Sequence, residues 1–123
     1  MPKYVLLNLI ILSLITNISS QIQFAPHTIT GGCVGPRSVY AADVDGDGDM
    51  DVLSASQDDN KIAWYENDGS QNFTDHTITN DALCAYSVYA ANVDGDGDID
   101  VLSASYSDGK IAWKEEQSGV KKS

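Results

Sequence analysis

The chain is poor in basic side chains, histidine, cysteine and proline. Seven Lys and Arg stand against 18 Asp and Glu in 123 residues, a formal net charge of −11. Nucleic acids and anionic membranes both need a basic face, so this balance argues against either as a partner. Histidine occurs twice, at His27 and His76, and no nucleophile motif or phosphate-cradling loop is present. A catalytic triad has no evident base, and an enzyme is not expected. Long apolar runs are also scarce. The one candidate, Tyr4 to Ile18, is interrupted by Asn8 and Asn17 and falls short of the roughly 20 apolar residues of a membrane span. No window carries a convincing 3.6-residue apolar period, which argues against amphipathic helices.

Residues 1–20 nevertheless differ from the rest. Lys3 is their only charge; the apolar run follows, and then small polar residues. This is the pattern of a secretory signal peptide, with cleavage expected near Ser20–Gln21. The expected location is extracellular, without membrane insertion after cleavage. Cleavage removes one lysine and no acid, so the mature chain is still more acidic. Cys33 and Cys84 in an exported chain can pair, and the sequence leaves a bridge and two free thiols both open. Asn72-Phe73-Thr74 is an N-glycosylation sequon, usable in a eukaryotic secretory pathway.

The dominant feature is an internal repeat. Residues 38–64 align with 87–113 at a constant offset of 49, with 22 of 27 positions identical. The exceptions are Asp43/Asn92, Met50/Ile99, Gln57/Tyr106, Asp58/Ser107 and Asn60/Gly109. The match reaches back to Phe24/Phe73 and to His27-Thr28-Ile29-Thr30 against His76-Thr77-Ile78-Thr79. Each repeat reads as short strands: A from Ser38 to Ala42, B from Val52 to Ser56, C from Lys61 to Glu66 and D from Phe73 to Thr79. Their β-branched and aromatic content and the Asn/Asp/Gly clusters between them carry this reading.

Four short strands per repeat suit a propeller blade. The expected fold is all-β: two four-stranded antiparallel propeller-type blades, a partial β-propeller. Blade one spans about residues 38–79 and blade two about 87–116, within a repeat region of 21–116. A D-type strand at 22–30 precedes them, blade two lacks its own outer strand, and 117–123 is a polar tail. Two blades cannot close a ring. A fragment of a longer propeller, a unit that self-assembles through unpaired blade edges, and a small domain held by a cation and a disulfide all remain open.

Between strands A and B each repeat carries a run of acids, DVDGDGDMD and NVDGDGDID. Carboxylates at alternate positions converge from one concave side, and a glycine allows the sharp turn that wraps a hard cation. The first copy offers Asp43, Asp45 and Asp47, the backbone carbonyl of Asp49, and Asp51. The second offers Asn92, Asp94, Asp96, the carbonyl of Asp98, and Asp100. All-oxygen ligands in this number favour Ca2+ over Mg2+. Asn92 drops a charge, so the second of the two sites is expected to be weaker. An EF-hand is not expected, because Ser54 and Ser103 occupy the twelfth loop position where glutamate belongs. A solvated acidic turn is the plain alternative, but it does not explain two copies with the ligand spacing intact.

These residues resemble the FG-GAP/VCBS repeat family, the calcium-binding blades of integrin-α-like propellers. The resemblance rests on SVYAADVDGDGDMDVLSAS with KIAWYEN, repeated as SVYAANVDGDGDIDVLSAS with KIAWKEE. It implies a β-propeller with calcium in the A–B loop of each blade, held by the ligands just named. It also implies a secreted recognition or adhesion module that takes a protein or glycan ligand. A lectin-like carbohydrate-binding module and a truncated piece of a larger propeller protein without independent function are the alternatives. Repetition separates scaffold from site. The His27/His76 and Trp64/Trp113 pairs read as fold residues. Arg37, Tyr86 and Tyr106 break the repeat; ordinary loop drift is the favoured explanation, and contacts on a ligand face opposite the acidic loops are the alternative.

Overall fold

The computed structural model describes residues 20–118. The expected signal segment therefore lies outside the described residues except for Ser20, and the end of the polar tail, 119–123, lies outside them as well. Among the described residues seven strands run in order: β1 (Pro36–Ala42), β2 (Asp51–Ser56), β3 (Lys61–Asn67), β4 (Phe73–Thr79), β5 (Ala85–Ala91), β6 (Asp100–Ser105) and β7 (Lys110–Lys114). They form two antiparallel meanders, β1-β2-β3-β4 and β5-β6-β7. The fold is all-β with two blade-like sheets, as the repeat predicts, and no helix occurs among the described residues.

The register explains which side chains meet. Tyr40 pairs with Leu53 and Leu53 with Trp64, while Ala55 pairs with Ile62. Directly paired residues share a face, so this face of sheet one carries Tyr40, Leu53, Ala55, Ile62 and Trp64. It packs on the face of sheet two that carries Val88, Ala90 and Val101, with Ala82 and Ala85 at the margin. Fully burying an aliphatic or aromatic side chain of this size stabilises by about 1.5–3 kcal/mol, so the junction between blades is the core of the molecule. Sheet one turns its other face, including Val39, Ala41 and Val52, away from sheet two.

The crossover between blades is pinned by hydrogen bonds. Ala82 N donates to Asn60 O at 3.0 Å, and Cys84 N donates to Asn60 Oδ1 at 2.9 Å. Asn60 has φ 56 and its repeat partner Gly109 has φ 60. Both residue types tolerate this left-handed turn, which accounts for the substitution between repeats.

One expectation changes, and one of the two states left open for the cysteines is found. Residues 22–30 form no strand, and Ile22 and Phe24 are exposed. The D-type sequence there repeats that of β4, but β4 has the edge of β3 to pair with. Within its own chain the 22–30 segment meets no such free edge: His27 to Thr30 border a groove beside Val39, Val52 and Tyr65, on a sheet face. The cysteines are not bridged either. Cys33 Sγ lies 3.0 Å from Tyr65 Oη on that same face. Cys84 Sγ accepts from Ser107 Oγ at 2.8 Å near the β6–β7 turn. Cys84 replaces Gly35, where a Cβ would lie 2.5 Å from an Asp58 oxygen; the shorter Ser107 makes room for it.

Candidate metal-binding loops

An antiparallel meander places alternate connections at the same end. The β1–β2 loop and the β3–β4 turn therefore share one end of blade one, with β2–β3 at the other. Contacts bear this out. Asn67 N donates to Asp51 Oδ1 at 2.8 Å, Asn67 Nδ2 donates to the Met50 carbonyl at 3.0 Å, and Gly69 packs against the Asp49 carboxylate.

Asp51 is fully buried at the start of β2. Its other oxygen, Oδ2, accepts from the buried Val44 N at 2.9 Å. One carboxylate thus ties both ends of the acidic loop to the end of β3. Asp100 repeats the arrangement, accepting from Val93 N at 2.9 Å and from Glu116 N at 3.1 Å. Burial pushes the Asp100 carboxyl up, but the hydrogen bonds from Val93 and Glu116 outweigh it and hold the group below the ordinary carboxylate value.

Inside the first loop the carboxylates also shape the backbone. Asp43 accepts from Asp47 N and Gly48 N at 3.1 and 3.0 Å, and Asp47 accepts from Asp49 N at 2.8 Å. Gly48 has φ 95 and Gly97 φ 102, a region other residues avoid. Each loop is therefore a preset concave turn lined with oxygen.

Asp43, Asp45 and Asp51 each offer an oxygen within 4.8 Å of the others. Two oxygens bound to one calcium ion at 2.3–2.6 Å lie at most about 5 Å apart, so the three fit a shared ion. Burial and the neighbouring charges of Asp47 and Asp51 push the Asp45 carboxyl up, although Asp47 N donates to it. That is the signature of a crowded anionic site, and a cation reverses it. The Asp47 carboxylate is not part of this trio, and that of Asp49 turns towards Gly69.

The second loop gathers differently. Asp94 and Asp96 converge with Glu115, a residue the sequence reading did not include. Asn92 Oδ1 accepts from Gly95 N at 2.8 Å, and Asp100 and Asp98 stand outside the trio. Glu115 follows β7 and aligns with Glu66, which in blade one binds His76 Nε2 at 2.7 Å on the adjacent strand. Sheet two has no fourth strand among the described residues, so Glu115 has no equivalent of His76 in its own sheet. The missing charge at Asn92 was the available signal. The two loops flank a cleft of about 530 Å³ floored by Trp64, Ile78 and Ile99.

At the opposite end the two repeats differ most. A register shift at the start of β1 makes Arg37 the extra residue of a bulge, and the same shift in β5 makes Tyr86 extra. Bulges re-aim side chains. The Arg37 guanidinium sits 5.9 Å from the centre of the Tyr86 ring and Arg37 Nε donates to Gln57 Oε1, with Tyr106 exposed on the neighbouring turn.

Antiparallel blades packed face to face, each with an acidic, glycine-bearing loop between its first two strands, define a propeller-type repeat protein. The family model for the FG-GAP-like repeat matches residues 12–54 and again 43–103, and the chain belongs to this family. No curated protein and no solved structure matches it.

Proposed function

We infer that the chain is a secreted calcium-binding repeat module acting in protein recognition or adhesion. The convergence of Asp43, Asp45 and Asp51 on a loop already folded to a concave turn carries the calcium reading. The first loop binds more tightly than the second, because one of its three carboxylates is buried and doubly anchored. The second trio is wholly exposed and draws Glu115 from the chain after β7. Calcium here is structural: it neutralises the loop carboxylates and braces the β1–β2 and β5–β6 loops. Calorimetric titration should show two calcium sites, with Asp43→Ala removing the tighter and Asp94→Ala the weaker. A calorimetric titration in which folded protein takes up no calcium defeats the reading.

A second reading rests on the exposed aromatic and guanidinium cluster of Arg37, Tyr86 and Tyr106. Such faces stack on sugar rings, which makes carbohydrate the alternative ligand. A glycan array on calcium-loaded protein separates the two: specific glycan binding abolished by Tyr86→Ala favours the lectin-like module.

A further inference from the structure

The repeat contains its own control for what each blade face is built to meet. Ile62 of β3 and Ile111 of β7 occupy equivalent positions in identical local sequence. Ile62 is 0% exposed because blade two covers it, whereas Ile111 is 78% exposed. The opposite faces show the converse. Val88 is 4% exposed against blade one, whereas its counterpart Val39 is 70% exposed. The face of blade two with Tyr89, Ile111 and Trp113 thus repeats the inner face of blade one. The outer face of blade one, with Val39, Ala41 and Val52, repeats the face that blade one receives.

In sheet one, β4 covers the β3 edge with Trp64 opposite His76 and Ile62 opposite Thr79. The Trp64 and His76 rings stack at 4.6 Å. In sheet two the equivalent edge of β7 is open among the described residues, while the equivalent segment, 24–30, forms no strand. The same register would set His27 on Trp113, Thr30 opposite Ile111, and His27 within reach of Glu115. Pro26 replaces Asp75 there, which an outermost strand tolerates because one side of its backbone faces solvent. The crossover bond is retained too, since Gly109 keeps the carbonyl that Asn60 offers to Ala82.

We propose that the chain associates head to tail with a second copy of itself. Residues 24–30 of one copy add to the β7 edge of the next, and the two exposed blade faces close as the internal blade junction does. The contact is heterologous, so each copy uses two different surfaces. It joins faces as well as edges and is independent of the calcium reading.

The test is light scattering of the purified protein over a range of concentrations, with Ile111→Asp and Val39→Asp. Both side chains are exposed, so circular dichroism and melting of the monomer stay unchanged. Wild type should assemble with rising concentration and each variant alone should be monomeric. An equimolar mixture of the two variants should stop at a dimer, because each retains one intact surface. His27→Ala should weaken assembly without touching the internal junction. A monomeric wild type, or variants that assemble as wild type does, overturns the proposal.

Discussion

Replacing Asp51 by alanine separates structural from metal-binding carboxylates. The side chain is fully buried and accepts from Val44 N and Asn67 N at 2.9 and 2.8 Å. Hydrogen bonds to a charged acceptor contribute about 1.5–3 kcal/mol each, and a stranded buried donor costs about 1–3 kcal/mol. Asp51 also adds repulsion at Asp45, and its removal returns part of that. A net loss of about 3 kcal/mol in calcium-free protein follows from these terms. Asp43 provides the comparison. It belongs to the same trio, but its donors Asp47 N and Gly48 N are exposed, so water replaces the lost acceptor and the calcium-free loss stays under about 1 kcal/mol. Urea unfolding followed by the fluorescence of Trp64 and Trp113 measures both, first in chelator and then in saturating calcium. Calcium should stabilise wild type and neither variant by the same margin. Asp51→Asn should rescue only in part: its carbonyl oxygen accepts from one of the two N–H groups while its NH2 confronts the other. If Asp51→Ala and Asp43→Ala unfold at the same urea midpoint in chelator, the anchoring role assigned to Asp51 is wrong.

Other outcomes follow from single contacts. Calcium at about one hundred times its dissociation constant should raise stability by about 2.7 kcal/mol per site, read as a rise in melting temperature that chelator reverses. Gly69→Ala should destabilise the β3–β4 turn, since Gly69 has φ 81 and an added Cβ would lie 2.7 Å from an Asp49 oxygen; an unchanged melting temperature would count against that packing. Ile62→Ala should cost about 2–5 kcal/mol in urea unfolding, as for other buried large-to-small changes. Hydrogen bonds from the Asn72 side chain and from Ser70 N and Asn72 N hold the Asp68 carboxyl below its ordinary 3.8. The charged form is therefore favoured by folding: its contribution is complete above the unfolded value and is lost as pH falls through the lower folded one. The Asn72 side-chain amide resonances should shift in that acidic window and not at neutral pH.

Most of the blade was legible in the sequence. The 49-residue repeat, the β-branched and aromatic runs and the turn clusters placed every strand of both sheets within about two residues, because strand formation here depends on local pattern. The acidic loops were legible as oxygen-rich turns, since their spacing is a property of consecutive residues. Three things depended on residues far apart in sequence. Glu115 joins Asp94 and Asp96 only because the segment directly after β7 lies beside the acidic loop. The cysteines could not be judged without geometry, and the folded chain gives each thiol a different partner. The D-type sequence at 22–30 has the composition of a strand, yet a strand needs an edge, and within one chain the edge of β3 belongs to β4. Sequence alone therefore determined the local elements and the oxygen-rich loops. Tertiary packing decided which identical residues are buried, because burial belongs to whatever lies opposite: Ile62 has a second blade over it, and among the described residues Ile111 has none.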